Sequence, residues 1–166
     1  MTRKIKCFII TFLSIICILS SVFPVMAQSS ISFTWGQEIY YPSWLGNWST
    51  KMCYINGSLA YCLESSKNTP PQGQYAPYVI RNNDALLKVL YYGYGGPGDV
   101  FKDDQVTNDT NKYLYTHIMA SYAYSGDIYG GKSWDDLLAN GIGLKWRYEQ
   151  IQSMPVPTKT FNLTKT

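Results

Sequence analysis

A helix with no wet face dictates what must surround it. Residues 109–125, DTNKYLYTHIMASYAYS, read as such a helix, because apolar or small side chains fall on nearly every side. Tyr113, His117, Ala120, Ser121 and Tyr124 share one face by three-and-four spacing. His117 is the only histidine in the chain. The rest of the sequence has to provide cover, and its first half is rich in strand signals.

Residues 1–27 read as an export signal. Arg3, Lys4 and Lys6 precede an apolar run from Cys7 towards Val22, and Val25-Met26-Ala27 forms a small-residue cleavage pattern ahead of Gln28. Cleavage near Ala27 predicts a secreted or cell-surface protein. It also takes the net charge from +3 to zero, since the three basic residues leave with the signal. A neutral chain without Lys/Arg clusters argues against nucleic acid or anionic lipid as partner, and no second apolar run suggests membrane contact after cleavage. About 139 residues remain, enough for one domain with its own core.

SFTWGQEIYYPSW, residues 32–44, is β-branched and aromatic up to Pro42 and reads as a strand. KMCYINGSLAYCLE, 51–64, places Asn56-Gly57 between two apolar runs, a strong hairpin signal. Residues 65–78, SSKNTPPQGQYAPY, read as a long Pro/Gly/Ser loop. A helix capped near Asn82 or Asn83 carries Leu86, Leu87, Val89 and Leu90 inside and stops at Gly93. The glycines of GYGGPGD lack the Lys-Ser/Thr of a phosphate cradle and read as a turn. Ser133-Trp-Asp-Asp136 resembles a capping box opening a third helix, and LKWRYEQIQSM supplies a fourth before Pro155 and Pro157. The predicted fold is α+β: an antiparallel sheet or partial β-barrel packed against a small helical lobe.

Only Cys53 and Cys62 remain once Cys7 and Cys17 leave with the signal. The hairpin register decides their relation. With Asn56-Gly57 as the central turn residues, Cys53 faces Ala60 and Cys62 is out of reach; with Gly57-Ser58 at the centre, the two oppose each other and a Cys53–Cys62 disulfide becomes possible. A thiol beside an imidazole can also ionise to a thiolate–imidazolium pair, the start of acyltransferase or peptidase chemistry with Cys62 as nucleophile and His117 as base. The plain alternatives are a buried cysteine and a core histidine bonded to tyrosine or backbone. No cofactor is implied. The abundance of Tyr and Trp adds a third option, a carbohydrate-binding module using exposed rings.

The order AYCLE, a Pro/Gly loop, ALLKVLYYGYGGPGD, YLYTHIMASYAYSGD and a Pro-terminated helix resembles the thioester domains at the tips of surface adhesins from Gram-positive bacteria, over roughly residues 50–157. The resemblance implies a cysteine on a strand joined to the side-chain carbon of a glutamine in a Thr-Gln-x-Ala-like helix motif. The resulting thioester is a stored electrophile for host amines. Cys62 falls on the cysteine position and Thr116-His117 on the Thr-Gln position. Imidazole has no acyl carbon, so His117 cannot form that bond, and Gln72, Gln74 or Gln105 would have to supply it. The implied reactive site is Cys62 with His117. Tyr61, Thr116, Tyr91, Tyr92 and Tyr94 are the implied binding residues, and the implied partner is a host or extracellular protein ligand or a glycan. The implied organisation is a signal peptide over 1–27, the adhesion domain over 28–157, and a linker or the start of a stalk domain over 158–166.

Overall fold

A computed structural model describes residues 30–41, 43, 46–64, 67–104, 107–126, 128 and 143–158. The segment read as an export signal, the capping-box helix expected at Ser133 and the tail from Lys159 lie outside the described residues. Four strands, β1 (Ile31–Tyr40), β2 (Ser49–Ile55), β3 (Ser58–Ala60) and β4 (Gly73–Tyr75), form an open antiparallel sheet in the order β3-β2-β1-β4. Helices α1 (Asp84–Tyr92), α2 (Asp109–Ser125) and α3 (Leu144–Ser153) form the lobe. The fold is the expected α+β class, with a sheet that stays open rather than closing into a barrel among the described residues. No helix among them is long and apolar enough to cross a membrane.

Asn56 and Gly57 both adopt positive φ, 50° and 80°, the twist a two-residue hairpin loop requires. The register follows: Ile55 opposes Ser58, Tyr54 opposes Leu59 and Cys53 opposes Ala60. Asn56 also docks the hairpin tip onto β1. Its side-chain oxygen accepts from Ser32 N at 2.8 Å, and its own N–H donates to Ser32 O at 2.8 Å. Between Trp35 and Glu38 the β1–β2 register slips by a bulge, which lets Lys51 set its ammonium 3.4 Å over the Trp35 ring.

One expectation needs correcting. Residues 65–78 are not entirely loop, because Gly73–Tyr75 pair with Ile31–Phe33 as β4, and Phe33 meets the Tyr75 ring edge-on at 6.1 Å. Three residues carry too short a pattern to announce themselves; backbone pairing with β1 makes the strand.

The helices start where the asparagines allow. Asn83 accepts from Leu86 N at 2.9 Å and Asn108 from Asn111 N at 2.8 Å, each satisfying a free N–H of a first turn. Gly126, at φ 74°, closes α2 in the left-handed region. Gly93 ends α1 for a different reason. Its backbone is extended, but a Cβ there would sit 2.4 Å from Thr116 Cγ2 and 2.4 Å from Val89 O. The missing side chain is what lets α1 and α2 touch. Around α2, Leu86, Val89, Phe101, Leu144 and Ile151 from other segments join Leu114 and Ile118 in one core.

Candidate functional site

Tyr113 projects from α2 into the hairpin and binds its backbone. Its hydroxyl accepts the Cys53 N–H at 3.2 Å and lies 3.1 Å from Ala60 O and 3.2 Å from Lys51 O, so one proton is shared between two carbonyls. Tyr61 stacks on its ring at 4.9 Å. Burial pushes the ionisation of both phenols well above the usual tyrosine range, which keeps them neutral donors. Replacing Tyr113 with Phe should cost about 1–3 kcal/mol, because the buried Cys53 N–H loses its acceptor; chemical denaturation measures this directly. Sequence reading placed Tyr113 on the His117 face but gave it no role, since its targets are main-chain atoms.

The Tyr61 hydroxyl donates to Tyr94 O, and Tyr94 N donates to Thr116 Oγ1 at 2.9 Å. Tyr61, Tyr94 and Thr116 are therefore brought together, clamping the Gly-rich turn onto α2. Tyr91 and Tyr92 pack edge to face at 4.8 Å, and the Tyr92 hydroxyl reaches Pro155 O at 3.0 Å. Through that bond Tyr92 ties the end of α1 to the chain after α3.

His117 is fully buried. Tyr41, a residue the sequence did not single out, brings its hydroxyl 3.3 Å from Nδ1. The rings of Tyr113, Tyr41 and Tyr61 surround the imidazole at centroid distances of 5.8, 6.4 and 6.5 Å. Burial lowers its pKa to about 4, opposed in part by a hydrogen bond to the Cys62 backbone. A bond that favours the protonated ring is one that accepts from it, so the partner is the Cys62 carbonyl. We assign the neutral tautomer with Nδ1 accepting from Tyr41 and Nε2–H serving Cys62. One turn further along, Ser121 Oγ is buried with no hydrogen-bond partner among the described residues.

Cys62 and His117 thus meet through the cysteine's backbone. The Cys62 sulfur contacts Glu64 O at 3.6 Å and lines a cavity of about 300 Å³ with Phe33, Cys53, Ala60 and Leu63. The main core takes Leu59, Tyr61 and Leu63 along its edge, while neither cysteine belongs to it. Both cysteines are free thiols, as the Asn56-Gly57 register requires. Cys53 Sγ donates to Lys51 O at 3.3 Å, and burial, with the neighbouring Cys62 second, pushes its pKa to about 11.

The glutamines considered as acyl donors are placed as follows. Gln72 uses its side-chain oxygen to accept from Trp35 N at 3.3 Å. Gln74 is exposed on β4 opposite Ser32, and Gln105 lies outside the described residues.

Comparison with known proteins bears on the family of the chain rather than on the roles of these residues. No curated protein and no solved structure matches the chain. A family model described as thioester domain matches residues 30–158, most of the sequence and both site elements. The chain belongs to the thioester domain family.

Proposed function

We propose that this thioester-family domain is an exported cell-surface adhesion domain that binds a host or extracellular protein ligand without an internal thioester. The observation that carries the reading is His117: at the helix position facing Cys62 stands a ring with no acyl carbon, held neutral by burial and bonded to the Cys62 backbone. Family membership supports the adhesive role. A Cys-His acyltransferase has weaker support. It needs an imidazole that takes a proton near neutral pH, and the burial of His117 opposes that charge.

Affinity in this reading comes from aromatic surface. Tyr40 and Trp48 are 71% and 59% exposed and lie at one end of the β1–β2 pair, where Tyr41 N donates to Trp48 O at 3.0 Å. Rings of this kind offer a broad apolar face with a polar tip, which suits protein or glycan ligands alike.

Intact-mass measurement and solid-phase binding test the proposal together. The purified protein should show the mass of the free-thiol form with no loss of ammonia. It should bind immobilised extracellular-matrix proteins in a way that denaturing detergent fully reverses, and Trp48→Ala should weaken that binding. A mass lower by one ammonia, or ligand that stays attached through detergent, overturns the thioester-free reading. Binding to glycans alone replaces the protein ligand with a carbohydrate.

A further inference from the structure

We propose that Asn56 is a site of self-modification to isoaspartate, held off by Ser32 while the β2–β3 hairpin is docked on β1 and released when it undocks. Asn56 and Gly57 are both exposed at the hairpin tip. A glycine in second place leaves its amide nitrogen unhindered, and among the described residues nothing lies within 4 Å of where a Gly57 side chain would stand. That nitrogen and the Asn56 side-chain amide are the two reacting groups. The direction of the side chain keeps them apart. Its oxygen accepts from Ser32 N at 2.8 Å, on β1, whereas Gly57 turns the chain towards β3, on the other side of β2. A second bond, from Asn56 N to Ser32 O at 2.8 Å, fixes the same residue by its backbone. The amide carbon can swing over Gly57 only after the side-chain bond to Ser32 breaks.

The chemistry needs only water. The Gly57 N–H gives its proton to solvent base, and the nitrogen attacks the Asn56 side-chain carbon. The bond from that carbon to the amide nitrogen breaks, ammonia leaves with a proton from solvent, and a cyclic imide remains. Water then adds to one of the two imide carbonyls. Addition at the side-chain carbonyl gives aspartate, and addition at the main-chain carbonyl gives isoaspartate, whose main chain runs through the former side chain.

Isoaspartate matters here because of what the turn sets. It puts an extra carbon into the main chain of a two-residue loop that closes through φ angles of 50° and 80°. The register that places Cys53 opposite Ala60 depends on that loop, and with it the N–H and carbonyl that Tyr113 binds. A hairpin modified while open cannot return to its pairing, so the opening is recorded irreversibly.

Ageing the purified full chain in warm, mildly alkaline buffer tests this, with and without urea, using peptide mapping and enzymatic methylation of isoaspartate to count the product. Asn140-Gly141, the other Asn-Gly pair of the sequence, is the internal reference. Asn56 is expected to react about tenfold more slowly in the native chain than in the unfolded one, and to speed up in urea well below the global transition. Ser32→Pro removes the N–H that holds the side chain and should raise the native rate at Asn56 without changing Asn140; the urea series carries the test if that variant does not fold. The aged fraction should unfold at lower urea than fresh protein. Asn56→Asp, which gains the charge without the extra carbon and keeps an oxygen for Ser32, should not. Equal rates at Asn56 in native and unfolded chains, a rate flat until global unfolding, an unchanged rate in folded Ser32→Pro, or equal destabilisation of Asn56→Asp and the aged fraction would overturn the proposal. The imide intermediate lacks one ammonia, as a thioester would, but it leaves Cys62 free to alkylate, so this outcome and that of the adhesion reading are told apart.

Discussion

Acidification from about pH 6.5 to about pH 4 is expected to remove about 3 kcal/mol of folding free energy through His117 alone. Burial holds the folded imidazole neutral down to about pH 4, whereas its ordinary pKa is 6.5. Between those values the unfolded chain binds the extra proton and the folded chain does not, so stability rises with pH across this window and falls on acidification. Above it both states are neutral and the contribution is flat. Urea unfolding at a series of pH values, compared with His117→Asn, isolates the histidine from the carboxylates that titrate nearby. The variant should lose the extra slope while keeping the carboxylate part. An unchanged slope would mean that the imidazole is hydrated or shares a proton with a partner other than those described.

Gly93→Ala is expected to be nearly as damaging, costing about 3 kcal/mol and about 10 °C in Tm. The new methyl group meets Thr116 Cγ2 and Val89 O, both at 2.4 Å, and Val89 O cannot move aside without disturbing α1. The strain falls on the seam where Tyr94 N bonds Thr116 Oγ1, so the Tyr61 clamp should loosen with it. Thr116→Ser removes one of the two obstructing atoms and should partly rescue the double variant, a coupling that a thermodynamic cycle reads. Gly126→Ala provides the contrast. It has open space around it but a positive φ, so its loss should be only about 1 kcal/mol, conformational in origin.

Local signals in the sequence carried the helix starts and the hairpin. Asn83 and Asn108 cap α1 and α2 with their own side chains, and Asn56-Gly57 fixed a register that kept the cysteines apart. Non-local features stayed hidden. β4 exists only because Ile31–Phe33 accept it as a neighbour, and the bulge between Trp35 and Glu38 shows only once β1 and β2 are paired. At the site, Cys62 and His117 were recognisable as chemistry-bearing residues. Which atoms of each would meet was not, because the answer depends on the course of the chain after Ala60, where the paired strand has ended. Tyr41 and Tyr113 were missed as partners for one reason: a tyrosine hydroxyl aimed at a ring nitrogen or a main-chain carbonyl looks, in sequence, like any other core aromatic.

α2 has a consequence for how the chain reaches its native state. Residues Tyr113, Leu114 and Thr116 through Ser121 are buried, so the helix has little solvated surface to sustain it alone. Leu144 and Ile151, near the end of the described chain, close the same core. A nascent polypeptide halted before those residues emerge would hold a hairpin and a helix whose apolar flanks lack their last wall. The core is therefore complete only once the α3 residues join it, and a chain cut before Leu144 is expected to lose cooperative unfolding, which urea denaturation of the truncated chain would read.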